Sequence, residues 1–244
     1  MPDAIFSLPR LASVYDPLDA DRRDLDAYVA IADEVAARTV LDIGCGTGTF
    51  ACLLAERGLE VTGVDPAVAS LDVARGKPGA DRVRWIIGDA RALPPLQVDL
   101  ATMTGNVAQA LLSDGEWAST LRSARSALRP EGHLVLETRD PRAQAWRGWT
   151  RDRTSRSVEV PGAGLVETWV ELTDIELPSV SFRTTFVFHA DGEVVTSSST
   201  LRFRPRDEVA SSLAAAGFVV DEVRDAPDRP GLELVFIARA TTPT

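Results

Sequence analysis

Between residues 39 and 137, short apolar runs alternate with amphipathic stretches, and this alternation points to a parallel α/β sheet. The runs are Thr39-Val40-Leu41-Asp42-Ile43, Leu59 to Val64, Val83 to Ile87, Val98 to Met103 and His133 to Glu137. Apolar runs this short read as buried strands. Helical patterns separate them over Thr49 to Arg57, closed by Gly58, and over Ala67 to Arg75. A third helix opens at Ser113-Asp114-Gly115-Glu116, where a hydroxyl and a carboxylate have capping-box spacing. It should run to about Leu128 and stop before Pro130. Strand, helix, strand at this spacing implies right-handed crossovers between parallel strands.

The flanks differ. Residues 1 to about 20 read as an irregular arm ending in Ser13-Val14-Tyr15-Asp16-Pro17. A helix is predicted from Leu18 to Ala37, with Leu25, Tyr28, Val29, Ala32 and Val35 or Ala36 on one face. From about Trp146 the period changes to two. Glu167 to Leu177, Val180 to His189 and Val194 to Phe203 alternate apolar and polar residues, with Asp191-Gly192 as a tight turn. This predicts an antiparallel insert over residues 146–204. A helix then returns through Val209, Leu213 and Ala216 to Gly217, followed by strands Phe218 to Val223 and Leu234 to Ala238.

The loop Leu41-Asp42-Ile43-Gly44-Cys45-Gly46-Thr47-Gly48-Thr49-Phe50 joins a buried strand to a helix. Glycines let the backbone turn tightly and approach a ligand, and the helix beyond offers free N–H groups. A dinucleotide fingerprint places its third glycine where Thr49 stands, and a phosphate loop needs a lysine that is missing here. Asp42 adds an anion, which would repel pyrophosphate and attract an ammonium. Asp65 ends the second strand, placed to accept from ribose hydroxyls, and Asp89 follows the third, placed for an exocyclic amine. Each acid alone also reads as a helix cap, but together they mark the strand ends where open parallel sheets bind ligands.

Composition narrows the partners. A length of 244 residues suits one large domain, or a core with one insertion. A net charge of -10 disfavours nucleic acid and anionic membranes as partners. No run of about 18 apolar residues predicts a membrane span, and MPDAIFSLPR lacks the pattern of a secretory signal. Two cysteines, Cys45 and Cys52, without a second pair, suit a reducing cytoplasm and no zinc knuckle.

LDIGCGTGTF, VTGVDPAVA, IIGDARALP and VDLATMTGN, in that order, resemble the first four motifs of class I S-adenosylmethionine-dependent methyltransferases. Met103 to Gln109 and Glu137 to Pro141 further resemble the small-molecule enzymes of actinobacterial type, whose antiparallel insert follows the fifth strand. The resemblance implies a Rossmann-like sheet of seven strands, the last antiparallel, with helices on both faces. It implies S-adenosylmethionine as cofactor, with Gly44, Cys45, Gly46 and Gly48 beside its methionine part and Asp65-Pro66 on the ribose. Asp89 and Ala90 would meet the adenine, Asp42 would face the amino-acid end or orient the loop, and Thr104 and Gly105 would complete the site. Tyr15 would belong to a lid formed by residues 1–37. The core would comprise 38–145 and 205–244, and the insert would cover the acceptor or form a dimer interface.

Methyl transfer from a sulfonium needs alignment and exclusion of water more than acid–base power. No metal is expected, since no H-x-H or H-E-x-x-H spacing occurs. His133 reads as structural and His189 as lying at a hairpin tip. Glu137 is the better candidate base, although a substrate anchor or loop partner fits it as well. Asn106 and Gln109 are placed to orient a ligand or cap a helix. Arg139, Arg142, Arg147, Arg151, Arg153 and Arg156 form a local basic region, either solvated or facing an anionic acceptor. Trp146 and Trp149 should pack first and line an acceptor pocket second. The expected activity is methylation of nitrogen or oxygen on a small molecule. The rivals are a non-catalytic S-adenosylmethionine-binding regulator, a protein or nucleic-acid methyltransferase and a dinucleotide oxidoreductase. Thr104-Gly105-Asn106-Val107 replaces the Asn-Pro-Pro-Tyr type of tetrad that base-methylating enzymes carry.

Overall fold

The computed structural model describes residues 2–241. Its elements run α1 (Ala4–Ser7), α2 (Pro9–Leu18), α3 (Asp26–Glu34), β1 (Thr39–Ile43), α4 (Thr49–Glu56), β2 (Glu60–Asp65), α5 (Val68–Arg75), β3 (Val83–Ile87) and β4 (Val98–Met103). They continue with α6 (Val107–Ala110), α7 (Asp114–Ala127), β5 (Leu128–Arg139), α8 (Arg151–Thr154), β6 (Arg156–Val160), β7 (Gly164–Glu176), β8 (Ser179–Phe188) and β9 (Glu193–Arg202). The chain closes with α9 (Arg206–Ala215), β10 (Phe218–Asp225) and β11 (Glu233–Ala240).

Seven strands form one sheet in the order β10-β11-β5-β4-β1-β2-β3. β11 runs antiparallel to both its neighbours, and the pairs from β5 to β3 are parallel. Alternation along each strand divides its side chains between two apolar layers. Leu41, Ala101, Leu134 and Phe236 pack with Trp117 and Leu121 of α7 and Leu213 of α9. Val40, Leu100, Val135 and Ile237 pack with Tyr28 and Ile31 of α3 and Leu54 of α4. The predicted doubly covered, mostly parallel sheet is therefore the observed one.

The insert is a separate antiparallel sheet in the order β6-β7-β8-β9. Three of its strands follow the predicted runs. The first, β6, was not anticipated: Arg156-Ser157-Val158-Glu159-Val160 is too short and charged to stand out before it pairs with β7.

The arm departs most from expectation. Residues 4–18 are helical rather than irregular, and the predicted helix from Leu18 begins only at Asp26, after a short 3₁₀ turn at Arg23–Leu25. Pro9 starts α2, where its missing N–H costs nothing. Leu11, Val14 and Leu18 lie on one helical face, and that face is buried against Val160, Val166, Phe186 and Phe188 of the insert. Tertiary packing thus supplies what ten residues of helix lack alone.

The start of α7 is fixed by its cap. Ser113 Oγ accepts from the Glu116 N–H at 3.2 Å, and Glu116 Oε2 accepts from the Ser113 N–H at 3.3 Å. Replacing Ser113 by Ala should cost about 1 kcal/mol, read as a lower denaturant midpoint with an unchanged slope.

Candidate active site

The carboxyl ends of β3, β2, β1, β4 and β5 lie side by side and carry the predicted residues in that spatial order. At the centre, the backbone of Gly44, Gly46 and Gly48 is left-handed, with φ of 71°, 53° and 77°. The three glycines differ in purpose. A Cβ on Gly44 would sit 2.4 Å from Val107 Cγ2, and one on Gly48 would sit 2.5 Å from Trp85 Cη2. These two glycines make room for packing. A Cβ on Gly46 would meet nothing within 4 Å, and the same holds for Gly105 after β4. Those two face open space.

Asp65 ties this loop to β2. Its Oδ2 accepts from the Gly46 N–H at 2.9 Å and its Oδ1 from the Ala67 N–H at 2.7 Å. Each oxygen keeps a lone pair for a ligand hydroxyl. Pro66 beside it is exposed. Asp42 is 2% exposed and accepts from Thr102 Oγ1 at 2.9 Å. Burial, opposed by that hydrogen bond and aided by Asp65, pushes its carboxyl up to about 7. Burial also raises the Cys45 thiol, so Cys45 is a neutral wall of the loop. Asp89 caps the turn that follows β3, accepting from the Arg91 N–H at 2.8 Å, and pairs with the Arg91 guanidinium at 2.5 Å. Half of the expected adenine contact is thereby occupied by Arg91, while Ala90 is buried next to it.

The arm closes over the loop. Asp16 accepts from Thr47 Oγ1 at 2.7 Å and from Thr49 Oγ1 at 3.2 Å, and pairs with Lys77 Nζ at 2.6 Å. Lys77 is the one lysine in the chain. Ser70 Oγ of α5 donates to the Phe6 carbonyl at 2.9 Å. Tyr15 packs against Phe6 with tilted rings, 5.6 Å between centroids, and burial raises its hydroxyl pKa. Asp16 and Lys77 were not singled out in the sequence. Asp16 has the Asp-Pro look of a turn, and Lys77 the look of a solvated loop.

On the other side of the glycine loop, Glu137 is buried with both oxygens engaged. Tyr28 O–H donates to Oε2, and the Asn106 N–H donates to Oε1 at 3.0 Å. Burial, with Glu233 nearby, raises its carboxyl pKa. Glu137 is thus a loop partner rather than an open base: it holds Asn106 in its left-handed conformation, φ 68°. Asn106 Oδ1 is buried and has no hydrogen-bond partner. Gln109 joins β5 to the insert, accepting from the Arg139 N–H at 3.3 Å and donating to the Arg202 carbonyl at 3.4 Å. Arg204, 2% exposed, donates to the Ala108 and Leu111 carbonyls and fixes the segment behind Asn106.

The basic region is mostly solvated. Arg142 is 79% exposed and is spent on Asp140, and Arg151 lies over the Trp169 ring. Arg139 alone among those predicted turns inward, beside Glu233. Trp146 is a core residue, edge-to-face with Phe203 at 4.6 Å between centroids, so its expected substrate contact gives way to packing. Trp149 lies between Phe182 and Arg139. His133 is half-buried 3.6 Å from Asp221, and His189 sits on the insert 3.8 Å from Glu167.

Residues 40–132 match the family model described as methyltransferase domain. The cypemycin N-terminal methyltransferase from Streptomyces sp. is 36% identical over 118 residues, 48% of each chain. The malonyl-[acyl-carrier protein] O-methyltransferase of Serratia marcescens is 27% identical over 215 residues, 85% of this chain and 75% of that one. The chain spans about half the length of the first curated relatives it matches. Among solved structures, the CcbJ methyltransferase from Streptomyces caelestis is 25% identical with a TM-score of 0.74, covering 95% of this chain and 96% of that one. Residues 40–132 are therefore similar to a methyltransferase domain. The residues present fit S-adenosylmethionine, the cofactor that the sequence resemblance implies: open space at Gly46 and Gly105, free lone pairs on Asp65 and a buried acid at Asp42. Among the described residues no helix is long and apolar enough to cross a membrane.

Replacing Lys77 by Met should loosen the arm by about 1 kcal/mol. Trypsin cleavage after Arg10 should then quicken about fivefold, with the core left intact.

Proposed function

We propose that this chain transfers a methyl group from S-adenosylmethionine to a nitrogen or oxygen of a small molecule by in-line displacement. The observation that carries this reading is the Asp65 bridge to Gly46, which sets the nucleoside end and the open glycine of the loop next to each other at one edge. The named relatives point the same way: one is an N-terminal methyltransferase and another an O-methyltransferase. Protein substrates remain the second reading, since the first of these names a terminus. A net charge of -10 supports neither DNA nor RNA as acceptor.

The cofactor supplies an electrophilic methyl on a positively charged sulfur. The chain positions and shields. Asp65 would receive the ribose hydroxyls, Asp89 and Ala90 the adenine, and Gly44 to Gly48 with Thr104 and Gly105 the amino-acid end. Asp42, once ionised, faces the ammonium. Tyr15 and the arm, residues 1–37, exclude water. Asn106 Oδ1, buried and unpartnered, would receive the acceptor's N–H or O–H, while Glu137 holds Asn106 in place. The insert, residues 146–204, covers the acceptor, with its outer face available to a second copy. Two free cysteines agree with a cytoplasmic setting.

Calorimetry with S-adenosylhomocysteine tests this. Binding in the micromolar range is expected, and Asp65→Ala should weaken it by about 1–3 kcal/mol. No binding of this ligand together with binding of NAD would overturn the reading.

A pH series adds a second test. The Asp42 carboxyl titrates near 7 when folded, above its usual 3.8. Its stabilising contribution is thus full below that usual value and is lost as pH rises through about 7. An ammonium ligand favours the ionised form, so affinity should rise several-fold between pH 6 and 8, a slope that Asp42→Asn should flatten.

A further inference from the structure

Arg139 ends β5 at the carboxyl edge, and its guanidinium is poorly served by the protein. Its side chain is 16% exposed. Nε lies 3.3 Å from Glu233 Oε1, an oxygen that already receives Arg229 Nη1 at 2.7 Å. Nη1 of Arg139 is buried and has no hydrogen-bond partner. The Trp149 ring lies 5.4 Å from the guanidinium carbon. Two cations thus share one carboxylate, and a planar, always-charged donor fork is left with its Nη1 group unmet. A buried charge in that condition is costly until an acceptor arrives.

Position along the edge says which ligand would bring the acceptor. The sheet order β3-β2-β1-β4-β5 lays out Asp89, Asp65, the glycine loop, Asn106 and Arg139 in sequence. With the nucleoside over β3 and β2 and the amino-acid tail over β1, Arg139 stands two strands beyond the tail. Glu137, two residues earlier on the same face of β5, holds Asn106 by its N–H. Asn106 Oδ1 is the second unpartnered buried atom on this flank. The flank therefore offers an N–H fork and a carbonyl oxygen. The groups complementary to these are an oxyanion and an N–H or O–H.

We propose that Arg139, backed by Trp149, forms a carboxylate subsite, so that the methyl acceptor is a small molecule carrying a carboxylate near its nucleophilic nitrogen or oxygen. This rests on the methyltransferase reading above. The fork geometry of arginine matches a carboxylate bidentately, and the indole provides a flat apolar wall for the carbon skeleton next to it.

The test uses benzoate and its neutral isostere benzamide, titrated by calorimetry or ligand-observed NMR into protein saturated with S-adenosylhomocysteine. Benzoate should bind saturably and about tenfold more tightly than benzamide, on the scale of one charge-assisted hydrogen bond. Arg139→Met should remove the preference, and Arg139→Lys should keep part of it. Equal binding of the two probes to the wild-type protein would overturn the subsite, and that comparison needs no variant. A preference that survives in Arg139→Met would overturn it as well. The cofactor's own carboxylate is the other source of this chemistry. Were it the partner, Arg139→Met would weaken S-adenosylhomocysteine about tenfold and spare methylthioadenosine, which lacks the tail, and benzoate would bind only without S-adenosylhomocysteine. The subsite predicts near-equal affinity of wild type and variant for both nucleosides. Failure of S-adenosylhomocysteine to bind the wild-type protein would sink the underlying reading. Failure of the benzoate preference on the loaded protein would sink the subsite alone.

Discussion

The Asp65 carboxylate is the hinge of the site. It ends β2, and with its two oxygens it holds the Gly46 and Ala67 N–H groups. A buried carboxylate is tolerable only when such donors meet it. By meeting them it joins the turn after β1 to the turn after β2. That bridge requires the loop to pass Gly44 and Gly48 where side chains would collide with Val107 and Trp85, and it leaves Gly46 turned to open space. Together with the Gly44 and Cys45 N–H groups, which donate to the Val64 carbonyl at 2.8 and 3.2 Å, it fixes the path of the loop.

A second layer depends on the first. Thr47 and Thr49 present hydroxyls because the loop is held in place, and Asp16 of α2 reaches them together with Lys77. The opposite face of α2 is buried in the insert through Leu11, Val14 and Leu18. One short helix is thus wedged between the core and the second sheet, with Arg10 over the Phe188 ring and paired to Asp191 at its outer end. The helix holds the loop by a small set of half-buried polar contacts and the insert by an apolar cluster.

The local rules read well from the sequence because they are local. The strand periods, the glycine spacing and the acids at strand ends 42 and 65 depend on neighbours within a few residues, and the structure places them together. The capping box at Ser113 is of the same kind. What could not be read depends on distant partners. Helix α2 has apolar residues at helical spacing, but Pro9 and Pro17 disguise it, and its stability comes from Phe186 and Phe188, some 170 residues away in the chain. Glu137 looks like a free base until Tyr28 arrives from α3 and the Asn106 N–H from the β4 turn. Trp146 and Trp149 share a spacing of three yet divide between core and site flank. Arg139 is distinguished from five neighbouring arginines only by its pairing with Glu233 across the sheet.

Hydrogen–deuterium exchange with and without S-adenosylhomocysteine measures the central claim most directly. A single site built on the Asp65 bridge predicts that ligand slows exchange together at residues 44–48, 65–68 and 88–91, and in the arm at 9–18. Protection confined to one of these segments, or appearing elsewhere with all of them unchanged, would contradict the account.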